Sequence, residues 1–209
     1  MFLDVSLAQV LHQFATIFAV VDPVGTVPVF IAVTAFIAHE RRRAVALRAV
    51  LFAALVLIGF LVAGQPVLNA IGVNLTSFQI AGGIVLFLFA LTMIFGPSKP
   101  DKELSQISMN DAEWAVYPLA IPSIASPGAM LAVVVLTDND VYPLTAQLVT
   151  AAITIGVLAI TLVLMLMAMP VQRLIGKAGA SIVSRVMGLI LAAVAVDNVI
   201  NAIIVRFGL

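Results

Sequence analysis

Asp22 and Asp197 are carboxylates set inside apolar runs of the length that crosses a bilayer. An intramembrane carboxylate is expensive to bury and marks a functional position by default. Asp22 lies 15 residues into the apolar segment 7–38. It can hold a substrate ammonium, bind Na⁺ or exchange a proton. It can equally cap a helix end through its own side chain, a role that suits Asp. Asp197 shares a helix face with Asn201 at i, i+4, with Asn198 beside it. That patch suits a proton path, or an interfacial position towards the end of its span. Both acids are therefore candidates for coupling transport to a cation. An intramembrane aspartyl enzyme would need the two carboxylates at one depth and within hydrogen-bond reach. Asp22 is expected near mid-membrane and Asp197 nearer the surface, which speaks against that chemistry.

Asp22 opens the motif Asp22-Pro23-Val24-Gly25-Thr26-Val27-Pro28, and a second motif runs Pro122-Ser123-Ile124-Ala125-Ser126-Pro127-Gly128. Proline in a helix interior removes a donor and clashes with the preceding turn. Each motif is expected to unwind its helix locally, and unwound backbone inside a membrane is tolerated only where it is buried in protein or lines a wet cavity. Ser126 stands where an N-cap belongs and Pro127 at the first helical position; Pro28 is read as the equivalent start in the first motif. A restarted half-helix offers free N–H groups and partial positive charge, and the half-helix ending near Val21 offers carbonyls and partial negative charge. Two such breaks facing each other suit a zwitterion. The lining candidates Gly25, Thr26, Ser123, Ala125, Ser126 and Gly128 are all small, which favours a small substrate. Proline kinks that serve packing alone are the alternative reading.

The elements that must position these motifs follow from composition. Of the 209 residues 63% are hydrophobic and 10% charged, against about 45–50% and about 25% in soluble domains. Ten acids and ten bases cannot cover a soluble fold of this size. A cytosolic enzyme, a nucleic-acid binder and a disordered chain are excluded, and a polytopic membrane protein remains. Apolar runs that are continuous rather than alternating argue for helices over a β-barrel. The stretch 49–98 holds 50 residues without Asp, Glu, Lys or Arg, and a span needs about 20. It is divided into spans 44–63 and 76–95, parted at Gly64-Gln65-Pro66. Further spans are read at 144–168 and 184–204, and the proline-interrupted segments 7–38 and 114–136 complete six. The first segment lacks a basic n-region and a small-residue cleavage site, so it is expected to be retained. With the N-terminus outside, nine of the ten Lys and Arg residues fall inside and only Arg206 outside. Both termini are therefore expected outside.

The second motif follows the first at an offset of 99 for both prolines, and Gly82 in span 3 matches Gly188 in span 6 at 106. Three spans per half make the repeat inverted, an architecture of many secondary transporters. The fold class is thus an all-α membrane protein of six transmembrane helices, two inverted three-helix repeats with helices 1 and 4 broken at Pro/Gly motifs. The repeats are 1–96 and 113–209, joined by a cytoplasmic linker 97–112, in a single membrane domain. Gly82, Gly83 and Gly188 permit close helix packing. No cysteine and two histidines leave no metal site, and no Walker A motif or cofactor signature is present.

These motifs resemble the MarC family of bacterial and archaeal inner-membrane proteins over nearly the whole chain. The family's first span carries an acidic or amide residue followed by Pro-x-Gly-x-x-Pro, matched by Asp22, Pro23, Gly25 and Pro28; many members have Asn where Asp22 stands. Its fourth span has a Pro-Gly break, matched by Pro122, Pro127 and Gly128, and its third-span glycine matches Gly82. The resemblance implies a transporter of small neutral amino acids, glycine- or alanine-like, in the cytoplasmic membrane and driven by H⁺ or Na⁺. An exporter of other small solutes is the runner-up. A non-transporting scaffold is disfavoured, because the loops offer a partner little to bind. Expected partners are the substrate and the lipid bilayer, with no nucleic acid and no enzymatic activity.

Overall fold

The computed structural model describes residues 6–35, 37–95, 111–139 and 141–208, and every described element is helical, with no strand among the described residues. The chain enters α1 (Leu7–Val21) through a capping box: the Ser6 hydroxyl accepts from the Gln9 backbone N–H while the Gln9 side chain accepts from the Ser6 N–H. After Asp22 it continues as α2 (Pro23–Val33), then α3 (His39–Ala70) and α4 (Leu75–Phe95). The short α5 (Asp111–Trp114) leads into a wide-turned, π-type segment (Ala115–Ile124), followed by α6 (Pro127–Val135), α7 (Leu144–Leu166) and α8 (Ala168–Phe207). The linker 97–112 lies outside the described residues except for its last two, which belong to α5.

Five helices are long and apolar enough to cross a bilayer: Leu7–Val33 taken together, His39–Ala70, Leu75–Phe95, Leu144–Leu166 and Ser181–Phe207. The pair Ala115–Ile124 and Pro127–Val135 is bent by 54° and makes a sixth if taken as one span. Large apolar side chains such as Leu51, Leu55, Leu88 and Leu148 are exposed. An apolar surface of that extent fits hydrocarbon, where the backbone is satisfied within each helix.

The division between the second and third spans differs from the sequence expectation. Gly64-Gln65-Pro66 does not end α3, which runs on to Ala70. Pro66 is exposed, so its ring sits on the outer face while Gln65 and Leu68 pack inward. The stop is Gly72, at φ +72°. The Val73 N–H reaches the Leu68 carbonyl and the Gly72 N–H the Asn69 carbonyl, which satisfies the last carbonyls in a Schellman turn.

Burial is uneven in a way that points to the site. The window of the Leu7–Val33 span is 67% buried, against 22% for the windows in α4 and in Ser181–Phe207. The first span is thus the centre of the protein, packed against α6, α7, α8 and the π-type segment, and α4 and α8 lie together at the periphery. Gly83 and Gly188 hold that outer pair close: a Cβ on Gly83 would lie 2.6 Å from the Val199 side chain, and one on Gly188 3.0 Å from Met93. Gly82 faces the other way, where a Cβ would come within 2.5 Å of Leu131 on α6.

Candidate functional site

The interruption in the first span is a single residue. Asp22 adopts φ 50°, ψ 66°, the left-handed region, and is the C-cap of α1 and the N-cap of α2 at once. Its N–H donates to the Phe18 carbonyl at 3.0 Å, closing α1. Its Oδ1 accepts from the Gly25 N–H at 2.9 Å, opening α2. Asp is one of the few L-residues that enter this region, because its short side chain bonds locally. Gly25 is required by the same geometry, since a Cβ there would overlap the Asp22 carboxylate. Pro23, not Pro28, occupies the first helical position of α2. Pro28 lies inside α2, a correction to the sequence reading: a helix starts where the cap is, and Asp22 caps immediately before Pro23.

The second interruption is longer. Tyr117 (φ −127°, ψ 128°) and Ile121 (φ −130°, ψ 126°) are extended within the π-type segment. The Tyr117–Pro118 and Ile121–Pro122 peptide bonds are cis. The chain turns at Ala125, whose N–H donates to the Ala120 carbonyl at 2.8 Å, and α6 begins at Pro127. Ser126 is its N-cap, with the hydroxyl accepting from the Ala129 N–H at 3.1 Å.

The two interruptions meet. The Ser126 hydroxyl donates to the Val20 carbonyl at 2.9 Å, so one oxygen ties the first turn of α6 to the last turn of α1. Beside it, Thr26 Oγ1 donates to the Asp22 carbonyl at 3.0 Å and lies 3.5 Å from Ser123 Oγ. The Thr26 proton is then engaged, so Ser123 is the donor of that contact. Asp22, Thr26, Ser123 and Ser126 are each at most 2% exposed. A carboxylate, three hydroxyls and the ends of three helices therefore converge in an apolar interior formed by Ile17, Val21, Leu119 and Ile124. The N-termini of α2 and α6 bring partial positive charge, and the C-terminus of α1 brings partial negative charge.

The other candidates are disposed differently. Gly25 and Ala125 are buried at the junction. Gly128 is buried against α4, where a Cβ would strike the Leu86 side chain. Pro122 and Pro28 are partly buried and Pro127 is exposed. Asp197 is not brought to it: it is exposed on α8, with Oδ2 accepting from Asn201 Nδ2 at 3.1 Å. Among the described residues no group of three or more His, Asp or Glu could hold a metal ion.

Sequence reasoning passed over a polar stripe on α7. Thr150, Thr154 and Thr161 are fully buried, each hydroxyl donating to the carbonyl four residues earlier. Thr150 also reaches Gln13 Oε1 on α1 at 3.2 Å. The signal was present as threonines at i, i+4 and i+11 on a largely apolar helix. Gln65 was likewise missed. Its Oε1 accepts from the Asn139 N–H at 2.6 Å and its Nε2 donates to Asp138 at 3.1 Å, which pins the loop after α6.

Residues 7–207 match the model of the MarC family integral membrane proteins. A UPF0056 membrane protein of Archaeoglobus fulgidus is 33% identical over 195 residues, covering 91% of this chain and 90% of the relative. One of Methanocaldococcus jannaschii is 36% identical over 194 residues, covering 91% and 93%. The UPF0056 inner membrane protein YhgN of Escherichia coli is 32% identical over 195 residues, covering 93% and 96%. No solved structure is significantly similar to the chain.

Proposed function

The chain belongs to the MarC family of integral membrane proteins, and from that premise we propose that it is a secondary transporter of small neutral amino acids, glycine- or alanine-like, coupled to H⁺ or Na⁺. The observation that carries the reading is the Ser126 bridge from α6 to the Val20 carbonyl, next to buried Asp22. Helix ends meeting inside the protein are what a small zwitterion needs: N–H dipoles for its carboxylate, and helix-end carbonyls for its ammonium. In the present arrangement these groups satisfy one another. Substrate binds by taking over the Ser126–Val20 bond, so occupancy and the separation of α1 from α6 are one event. That links binding to movement, which alternating access requires. Asp22 is the coupling residue, holding the cation that accompanies the substrate, and the small side chains around it limit substrate size.

The same proposal takes residues 1–96 and 113–209 as inverted repeats and sets both termini outside the cytoplasmic membrane, by the distribution of Lys and Arg. Reporter fusions after residues 38 and 98 should then read cytoplasm, and one after residue 137 the outside. A single fusion on the wrong side removes the inverted repeat. The function is tested by uptake and counterflow of labelled amino acids in proteoliposomes, with imposed H⁺ and Na⁺ gradients in separate arms. Saturable accumulation of glycine or alanine that follows one gradient is expected. Absence of both uptake and counterflow across the panel removes the transport reading.

A further inference from the structure

A cleft of about 280 Å³ opens between α1, α4, α6 and α8, away from the junction of the two interruptions but reaching it at one residue. On α1 its wall is His12, Thr16 and Val20, a single stripe at i, i+4 and i+8 that descends about 12 Å along the helix. Its inner end is Val20, whose carbonyl receives the Ser126 hydroxyl. On α8 the wall carries Asp197 and Asn198. Polarity is graded along the cleft. His12 lies five residues into α1 and Asp197 ten before the end of α8, so both polar groups belong to the two terminal helices. The lining from α4 and α6, which includes Leu86 and Leu131, is apolar.

We propose that this cleft is an outer binding site for the transported zwitterion and its way in to the junction. Asp197 and Asn198 take the ammonium, while His12 and Thr16 meet the carboxylate. The inference rests on the transport reading, and it gives Asp197 a role in substrate capture rather than coupling. Its volume lies just under the roughly 300–1,000 Å³ of sites for larger ligands, which matches a small amino acid. Passage beyond Val20 requires the Ser126–Val20 bond to open. A substrate resting against Val20 is one hydrogen-bond exchange from the junction.

The absence of cysteine makes the cleft directly testable. Ala193 lines it, and Leu88 is an exposed apolar residue on α4. Thiols react as thiolates and so need water. In proteoliposomes a cationic methanethiosulfonate reagent should modify Ala193→Cys at least tenfold faster than Leu88→Cys. Asp197→Asn in the Ala193→Cys background should remove the preference for the cationic over an anionic reagent. Saturating alanine should slow modification severalfold. Val194→Cys, also in the cleft wall, replaces Ala193→Cys if that variant fails to fold. Equal rates at the cleft and Leu88 positions overturn the proposal, as does an unchanged charge preference in Asp197→Asn. Wild-type alanine uptake without protection overturns the cleft while leaving the transport reading intact. Protection without uptake supports the cleft as a binding site and overturns the transport reading. Neither uptake nor protection overturns both.

Discussion

The two interruptions solve the same problem with different means. At Asp22 the helix stops and restarts within one residue, with a left-handed backbone and a carboxylate as cap. In the second half the chain departs from helix at Tyr117 and Ile121 before Ser126 caps α6, and the bend is 54°. The first leaves Leu7–Val33 as one span and places a carboxylate at the centre of the protein. The second moves the axis and supplies the neutral hydroxyl that reaches across. Acid and bend are thus divided: the carboxylate sits on the less bent element, and the bridging group sits on the more bent one. Each cap satisfies a backbone N–H of the helix it opens, that of Gly25 in α2 and that of Ala129 in α6.

The sharpest way to break the comparison is to place the same methyl group in each motif. In Gly25→Ala the new Cβ overlaps the Asp22 carboxylate, which is held by the cap it makes. Either the cap is lost or the turn opens, at a cost of about 2–4 kcal/mol. In Gly128→Ala the Cβ meets the tip of Leu86. That side chain can move, and the gain of about 1 kcal/mol in helix propensity offsets most of the crowding. Thermal unfolding in detergent should show a large drop for Gly25→Ala and a small change of either sign for Gly128→Ala. Uptake should be lost in the first and kept in the second. Equal effects in the two variants would remove the distinction between the motifs.

A smaller effect sharpens the role of the bridge. Ser126→Ala removes the α6 cap and leaves the buried Val20 carbonyl without its donor, together about 2 kcal/mol. Ser126→Thr keeps the hydroxyl. Uptake should fall at least tenfold in the alanine variant and recover in part in the threonine variant. Ser123→Ala, which loses only a 3.5 Å contact to Thr26, should cost less than either in stability. If Ser123→Ala unfolds at a lower temperature than Ser126→Ala, the bridge is not the tie between the halves.

Much of this was legible in the residues, and the failures have physical causes. Helical class and five of the six expected spans followed from hydropathy, because hydrocarbon admits few alternatives. Ser126 and Pro127 read as cap and first turn because that chemistry is local. Pro28 misled because the motifs were matched by proline spacing, whereas the caps put Pro23 in the place of Pro127, an offset of 104 rather than 99. Pro66 misled because a proline on an exposed helix face can be accommodated, and the actual stop was Gly72. The Ser126–Val20 bond joins residues 106 apart, and no local pattern reports which carbonyl a hydroxyl will find. The cleft is likewise built from four helices and has no signature in any one of them.

Asp22→Asn gives the smallest structural effect and bears most directly on the division between charge and geometry. Asn caps helices about as well as Asp and also enters the left-handed region. The Asp22 Oδ1 contact to the Gly25 N–H has a counterpart in the amide oxygen. The substitution therefore keeps the interruption and removes the carboxylate, with a stability change of about 1 kcal/mol or less from the lost interaction with the helix dipole. Binding of glycine or alanine should persist. The steepness of initial uptake against an imposed H⁺ or Na⁺ gradient should fall, because the cation has lost the group that holds it. The measurement is initial uptake at matched expression across a range of pH and of Na⁺, in wild type and variant. Superimposable profiles would mean that Asp22 is a cap and nothing more. The first interruption would then serve geometry just as the bent second one does, and the coupling residue would have to be sought elsewhere.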